Sequence, residues 1–150
     1  MNIGIDLDGV LTNFNEFCIN YGTKFASEIG KGKIINPKGY ESIEIFSWNK
    51  QTDLEFWEKY NLKYATEEEP RIFAKDVLNK LKEDGHKIYI ITARASEFAD
   101  IEAKEKMQGL VRKWFAKNEL YYDELIFSTV NKLENCRKNN IDVIIEDSPH

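Results

Sequence analysis

Four short apolar runs, rich in β-branched or aromatic residues, lie along the chain. They occupy residues 3–5, 87–91, 124–127 and 141–145. Runs of this length and composition are typical of strands buried in a parallel sheet. The first run comes near the start of the chain, whereas the other three follow one another at intervals that leave room for helices.

Segments with helical spacing separate the later runs, at about residues 70–84, 97–118 and 130–139. In the first segment Ile72, Val77 and Leu78 are predicted to face inward, and in the second the inward face includes Ile101. This alternation predicts βαβ units with right-handed crossovers. The predicted fold class is therefore α/β, a three-layer Rossmann-like parallel sheet with helices on both faces.

Residues 13–70 do not follow this alternation. The stretch is long and carries eleven aromatic residues, and a connection of this length is rarely a plain loop in a compact domain. It is predicted to be a mainly helical insertion whose aromatic side chains mostly pack its own small core. The remaining core then comprises about residues 1–12 and 71–150, and the 150 residues form one domain with an insertion.

Charge and cysteine content narrow the possible partners and compartment. With 21 Lys and Arg against 26 Asp and Glu, the net charge is −5, which disfavours nucleic acid and anionic membranes as partners. No apolar run approaches the length of a membrane span. Cys18 and Cys136 form no CxxC pair and are interpreted as reduced thiols of a cytoplasmic protein. Nothing in the sequence indicates an oligomeric state.

Polar and ionisable residues follow every predicted strand. Open parallel sheets bind ligands at the carboxyl ends of their strands, so these residues are expected to meet at one edge. Along the chain they are Asp6 and Asp8, then Thr92, Ala93 and Arg94, then Lys132, and finally Glu146 and Asp147.

The carboxylates in this set favour a metal site. Four carboxylates at one edge would repel each other, and a divalent cation would relieve that repulsion. The predicted ligands Asp6, Asp8, Glu146 and Asp147 offer only oxygen, which suits Mg²⁺ together with a substrate phosphate.

The other residues favour phosphoryl transfer. Thr92 and the backbone N–H groups after it, with Arg94 as a further contact, are expected to hold a phosphate, and Lys132 is expected to offset its charge. Asp6 is then placed to attack phosphorus as a carboxylate nucleophile. Asp8 is placed to protonate the leaving oxygen and later to deprotonate water.

Four motifs together resemble the haloacid dehalogenase (HAD) superfamily of phosphotransferases. They are the run Asp-Leu-Asp-Gly-Val-Leu-Thr at 6–12, Thr-Ala-Arg at 92–94, Lys132, and Glu-Asp-Ser at 146–148. All four occur in order, each after a predicted strand, and a single such motif would carry little weight. The resemblance implies a HAD-like core, an aspartyl-phosphate on Asp6, and Mg²⁺ held by Asp6, Asp147 and the backbone carbonyl of Asp8, with Glu146 acting through water.

A narrower resemblance is to the deoxyribonucleotidase-like branch. It is carried by the form of the first motif, the insertion directly after it, and Trp114 in a helix leading to the 122–127 stretch. This resemblance implies that the insertion is a helical cap and that the substrate is a nucleoside monophosphate. The predicted function is therefore a Mg²⁺-dependent phosphomonoesterase acting on a small nucleotide.

The end of the chain departs from the family pattern. Members of the family normally continue past the fourth motif into a further helix and strand, whereas this sequence ends at Pro149 and His150. The C-terminal edge of the core is therefore expected to be missing, which would expose the strand that carries Glu146 and Asp147.

Three alternatives remain open at this point. In the first alternative, the substrate is another small phosphate, such as a sugar phosphate or a nucleic-acid end, although a polymer would need a basic groove. In the second, the chain is a truncated, inactive relative that binds metal or phosphate without turnover. A receiver-type signalling domain also clusters aspartates with Thr and Lys, but its phosphorylated aspartate follows a middle strand and it lacks the long insertion.

Overall fold

The computed structural model describes residues 1–129 and 131–148. The chain forms two compact units, one from residues 1–12 and the described residues from 69 onward, the other from residues 13–68. Pro149 and His150, on which the expectation about the chain end falls, lie outside the described residues, as does Val130. Within the described ranges no helix has the length and apolar character needed to cross a bilayer.

Four parallel strands form the sheet of the first unit. They are β1 (Asn2–Ile5), β2 (Lys87–Thr92), β3 (Glu124–Phe127) and β4 (Val143–Ile145). Each corresponds to one of the four apolar runs, and their order across the sheet is β3-β2-β1-β4. Ile3 is the register partner of Ile88 on one side and of Val143 on the other. The predicted α/β class with a parallel sheet is confirmed.

Three helices connect these strands: α4 (Ala74–Glu83), α5 (Ile101–Lys117) and α6 (Leu133–Lys138). The helices α4 and α5 bury Leu78, Val111 and Trp114 in one core with the side chains of Ile3 and Ile88, so both cover the same face of the sheet. The path from β3 to β4 runs back across the sheet. A right-handed crossover then places α6 on the opposite face.

Two apolar residues predicted to face inward are exposed. Ile72 is 86% exposed because α4 begins only at Ala74, so Ile72 lies in the preceding turn. There the chain is held by the β-bridge between Thr12 and Pro70 and by the Arg71 N–H, which donates to the Leu11 carbonyl. Val77 is also exposed, whereas the adjacent Leu78 is buried, since α4 presents a narrower apolar face to the sheet than predicted.

The ends of the other two helices also differ from the prediction. Asp100 caps α5 by accepting a hydrogen bond of 2.7 Å from the Ala103 N–H. The helix therefore begins at Ile101, whose side chain is exposed. On the opposite face α6 is shorter than predicted and buries none of its described residues. At the edge of the sheet the side chains of β4 are exposed as well.

An aromatic core holds the second unit together. Its helices are α1 (Phe14–Ile29), α2 (Ser42–Ile45) and α3 (Lys50–Glu67). The Phe46 and Trp48 rings stack at 4.3 Å between centroids, and Phe25 meets the Trp48 ring edge-on. Such pairs add to the stability that burial of the rings provides. Most aromatic residues of this stretch thus pack against one another.

A matched pair of helical glycines tests this packing. A Cβ at Gly22 in α1 would lie 2.3 Å from Cε2 of the buried Phe46 ring, whereas nothing lies within 4 Å of a Cβ at Gly109 in α5. We expect Gly22→Ala to lower the free energy of unfolding by about 1–3 kcal/mol through overpacking. Gly109→Ala should raise it by about 0.5–1 kcal/mol. Urea unfolding followed by circular dichroism measures both, and equal effects of the two substitutions would contradict the packing described here.

Candidate functional site

The carboxyl ends of β1 and β4 lie side by side and place three carboxylates together. Asp6 follows β1, and Glu146 and Asp147 follow β4. The Asp6 N–H donates to the Ile145 carbonyl at 3.0 Å, which continues the parallel ladder past the end of β1. One carboxylate oxygen from each of the three residues lies within 4.8 Å of the others. We call these residues the acidic cluster.

Gly9 provides the space for one member of this cluster. Its φ of +79° lies in the left-handed region, and a Cβ built there would come within 1.7 Å of Oδ2 of Asp147. The Asp147 carboxylate thus occupies the position that any larger residue would need. Only glycine satisfies both the backbone conformation and this close approach.

Lys132 lies within the acidic cluster. Its Nζ is 2.6 Å from Oδ1 of Asp6 and 2.6 Å from Oε2 of Glu146. The residue precedes α6 at the N-cap position, which brings its side chain from the turn after β3 toward the end of β1. Burial opposes its charge, but the two carboxylates outweigh that effect and raise the pKa of Lys132, which is therefore a cation here.

Burial dominates the titration of Asp6. The residue is only 5% exposed, and removal of its carboxylate from water raises its pKa from 3.8 to about 7, against the opposing effect of Lys132. Burial, followed by the charge of Glu146, likewise raises the pKa of Asp147. At Glu146 burial acts in the same direction, but the hydrogen bond and charge of Lys132 prevail and lower its pKa.

The carboxylate oxygens of the acidic cluster are suitable ligands for a hard divalent cation. All three side chains offer oxygen, and one ammonium leaves two of three negative charges without compensation when every carboxylate is ionised. Mg²⁺ prefers such ligands, and a cation at this position would also offset the cost of burying Asp6. The residues present therefore fit the metal that the sequence predicted.

Asp8 lies in a second group of charges. Its carboxylate accepts hydrogen bonds from Nε of Arg94 at 3.2 Å and from Nη2 of the same guanidinium. Its side chain is thus turned to the end of β2 and is not part of the acidic cluster. The predicted set of eight residues is brought to one edge of the sheet in two groups.

Thr92 and the turn after it complete the second group. Thr92 is fully buried at the end of β2, and its Oγ1 accepts a hydrogen bond of 3.0 Å from the Arg94 N–H. Ala93 lies between them and is half-buried. The next strand end contributes Ser128, whose N–H donates to the Thr92 carbonyl at 2.8 Å. These contacts fix the backbone that follows β2.

Arg71 also contributes to this edge, although the sequence motifs do not point to it. Arg71 donates from Nη2 to the Gly9 carbonyl at 2.8 Å and so supports the turn between Asp8 and Thr12. The residue lies in the segment at about 70–84 for which the sequence predicts a helix. No local pattern reveals its partner, because 62 positions separate the two residues.

The raised pKa of Asp6 predicts how stability depends on pH. The folded state holds the Asp6 proton more tightly than the unfolded state does, so the contribution of Asp6 to the free energy of unfolding falls as pH rises from about 4 to about 7. Asp6→Asn removes this penalty. In EDTA, we expect the variant to gain stability relative to the wild type over that interval, by a few kcal/mol, since one pKa unit corresponds to about 1.4 kcal/mol.

Urea unfolding at pH values from 4 to 8 measures this difference. Asp76→Asn is the matched control, because the Asp76 side chain is solvent-exposed on α4. A difference between wild type and Asp6→Asn that stays constant, or that reverses, over this pH range would show that burial does not govern the Asp6 carboxylate.

Known proteins resemble this chain in sequence. No protein-family model matches it. It is 29% identical over 99% of its length to a nucleotidase of Clostridium acetobutylicum, of which it covers 71%. A relative from Bacillus cereus, whose name also contains the word nucleotidase, is 26% identical over 79% of the chain, which spans 62% of that relative.

Solved structures share its fold. A hydrolase from Streptococcus pneumoniae TIGR4 matches with a TM-score of 0.59 at 16% identity, over 99% of this chain and 83% of that one. A HAD-superfamily hydrolase of subfamily IA, variant 1, from Geobacter sulfurreducens PCA matches with a TM-score of 0.52 at 11% identity, over 99% and 80%. The solved structures share the fold that the four sequence motifs imply. Both sequence relatives carry the name nucleotidase, in agreement with the narrower resemblance.

Proposed function

We propose that the protein is a Mg²⁺-dependent phosphomonoesterase that acts on nucleoside monophosphates. The observation that carries the proposal is the buried Asp6 carboxylate, held by Lys132 beside Glu146 and Asp147 at the carboxyl edge of the sheet. A buried carboxylate in contact with a cation at the ligand-binding edge of a parallel sheet is costly to maintain, and such groups are frequently functional.

Asp6 is the proposed nucleophile. One of its carboxylate oxygens would attack phosphorus and form an aspartyl-phosphate, while the bond from phosphorus to the leaving oxygen breaks. Asp8 would give a proton to that oxygen. Burial leaves the Asp6 carboxylate poorly hydrated, and its contact of 2.6 Å with Lys132 keeps it oriented.

The phosphoryl group would be held by Thr92, Ala93 and Lys132. Because Thr92 Oγ1 accepts from the Arg94 N–H, its hydroxyl hydrogen is directed elsewhere and can be donated to a phosphate oxygen. The Ala93 N–H follows directly at the end of β2. Lys132 would share its charge between Asp6 and the phosphoryl oxygens.

Asp6, Glu146 and Asp147, with the backbone carbonyl of Asp8, are the proposed ligands of the metal. When bound, Mg²⁺ would neutralise charge on Asp6 and the phosphate as they approach each other. The chain itself supplies the positions of these ligands: Gly9 gives Asp147 its space, and Lys132 contacts both Asp6 and Glu146.

The nucleotide as substrate rests on the names of the two relatives. The names point to this class, and the net charge of −5 disfavours a polymeric nucleic-acid end. A sugar phosphate or another small phosphate is the second candidate class.

Phosphate release from a panel of phosphomonoesters tests the function. We expect the wild type to release phosphate with Mg²⁺ and not with EDTA, and to prefer deoxynucleoside or nucleoside monophosphates over sugar phosphates. Asp6→Asn should lower kcat at least about a thousandfold, since loss of a nucleophile abolishes its covalent pathway. Asp76→Asn should leave it unchanged.

Two results would contradict the proposal. Turnover by Asp6→Asn near the wild-type rate would exclude Asp6 as the nucleophile. A folded wild type that binds Mg²⁺ but releases phosphate from no monoester would identify a binding protein instead of an enzyme.

A further inference from the structure

Arg94 is a buried arginine whose guanidinium binds another predicted site residue. Only 7% of Arg94 is exposed. Its Nε donates to Oδ2 of Asp8 at 3.2 Å, and its Nη2 donates to Oδ1 of the same carboxylate. Two donors on two oxygens fix both the position and the rotation of the carboxylate, which a single hydrogen bond cannot do.

The turn after β2 holds Arg94 in this place. Its own N–H donates to Thr92 Oγ1, and the Ser96 N–H donates to the Ala93 carbonyl at 2.8 Å. Ala95, which follows Arg94 in the chain, has a φ of +81° although it is not glycine, and it is almost completely buried. Backbone strain of this kind persists only where the surroundings impose it, and it clusters at functional sites.

We propose that Arg94 is a positioning residue that acts through Asp8 in the hydrolysis of the aspartyl-phosphate. This inference rests on the proposed function, in which Asp8 transfers the protons. The guanidinium carries five N–H groups, and the contact with Asp8 uses one on Nε and one on Nη2. A direct phosphate contact, the role that the sequence indicated for Arg94, would be made by the other N–H groups and would leave this contact intact.

The step in question is the second half of the reaction. After Asp8 has given its proton to the leaving group it is a carboxylate, the form that the guanidinium binds here. A water oxygen then attacks phosphorus while Asp8 takes one of its protons. The bond between phosphorus and the Asp6 oxygen breaks, its electron pair returns to the Asp6 carboxylate, and inorganic phosphate leaves.

Two lone pairs on each carboxylate oxygen make this arrangement possible. The bidentate arginine uses one on each oxygen, so its binding does not by itself prevent either oxygen from accepting a hydrogen bond from the water. Without Arg94 the side chain of Asp8 would rotate, and the water would meet the carboxylate in the productive orientation only part of the time. Loss of Arg94 would therefore lower the rate of the second step and leave substrate binding unchanged.

Pre-steady-state kinetics with p-nitrophenyl phosphate and Mg²⁺ test the proposal. Nitrophenolate is a good leaving group and needs little help from an acid, so the first step stays fast and the second is observed separately. The variants are Arg94→Gln and Arg94→Lys, with Asp8→Asn as reference and Arg112→Gln, an exposed arginine on α5, as matched control. Mass spectrometry of acid-quenched protein measures the covalently phosphorylated fraction.

We expect Arg94→Gln to lower kcat about 10- to 100-fold, part of what general base catalysis contributes, with KM changed less than about threefold. It should show a burst of nitrophenol and a larger phosphorylated fraction than the wild type, as should Asp8→Asn. The double variant Arg94→Gln/Asp8→Asn should be no slower than Asp8→Asn alone, because both substitutions affect one group.

Arg94→Lys is the control for a folding defect, because lysine keeps a cation beside Asp8 but offers no planar pair of donors. It should unfold at nearly the wild-type temperature and still accumulate phosphorylated protein. A merely structural role would instead reduce the active fraction without raising the phosphorylated fraction.

Each remaining outcome has a defined meaning. A raised KM and weaker inhibition by orthophosphate, with no phosphorylated protein, would overturn the proposal in favour of direct substrate contact. Additive losses in the double variant would also overturn it. If the wild type releases phosphate from no monoester, the proposed function itself fails, and this inference fails with it. An active wild type with Arg94 variants that accumulate no phosphorylated protein rejects the inference alone.

Discussion

The buried Asp6 carboxylate is the constraint on which the rest of the site depends. Its pKa of about 7 reflects burial that Lys132 only partly offsets, so the folded protein is less stable with Asp6 ionised than it would be with a neutral residue there. Such a cost is common where a protein holds a reactive group ready. The contact between Lys132 and Asp6 offsets part of this cost.

The charged side chains at this edge form two separate groups. Lys132 lies between Asp6 and Glu146, whereas Arg94 binds Asp8. The two groups thus hold adjacent aspartates, only two positions apart in the chain, in different surroundings. In the proposed function Asp6 reacts with phosphorus and Asp8 exchanges protons, and the difference between their surroundings would separate these two roles.

The sheet register explains why these residues meet. The strand β1 lies between β2 and β4, so its carboxyl end receives Arg94 from one neighbour and Glu146 and Asp147 from the other. Lys132 arrives from the turn after β3. A shift of one residue in the pairing of β1 with β4 would turn the end residues of a strand to the opposite face and separate the acidic cluster. The same shift between β1 and β2 would separate Asp8 from Arg94.

The strands and the edge of the sheet that carries the candidate site could be predicted from the sequence alone. The four apolar runs predicted the four strands, and the polar residues after them predicted which edge would carry the chemistry, because strand type and ligand position follow from local pattern and general topology. The exposure of Ile72 could not be predicted, since spacing alone does not locate the first turn of α4. The aromatic stretch indicated a separate helical core, but not which rings would stack.

Only the tertiary structure decided the partners. That Arg94 binds Asp8, that Arg71 supports Gly9, and that Asp147 occupies the space left by the missing Gly9 side chain are contacts between residues 62 to 138 positions apart. Local sequence determines which residues form strands and which carry charge. The choice among many possible pairs of charges depends on strand order, register and side-chain direction, which exist only once the chain has folded.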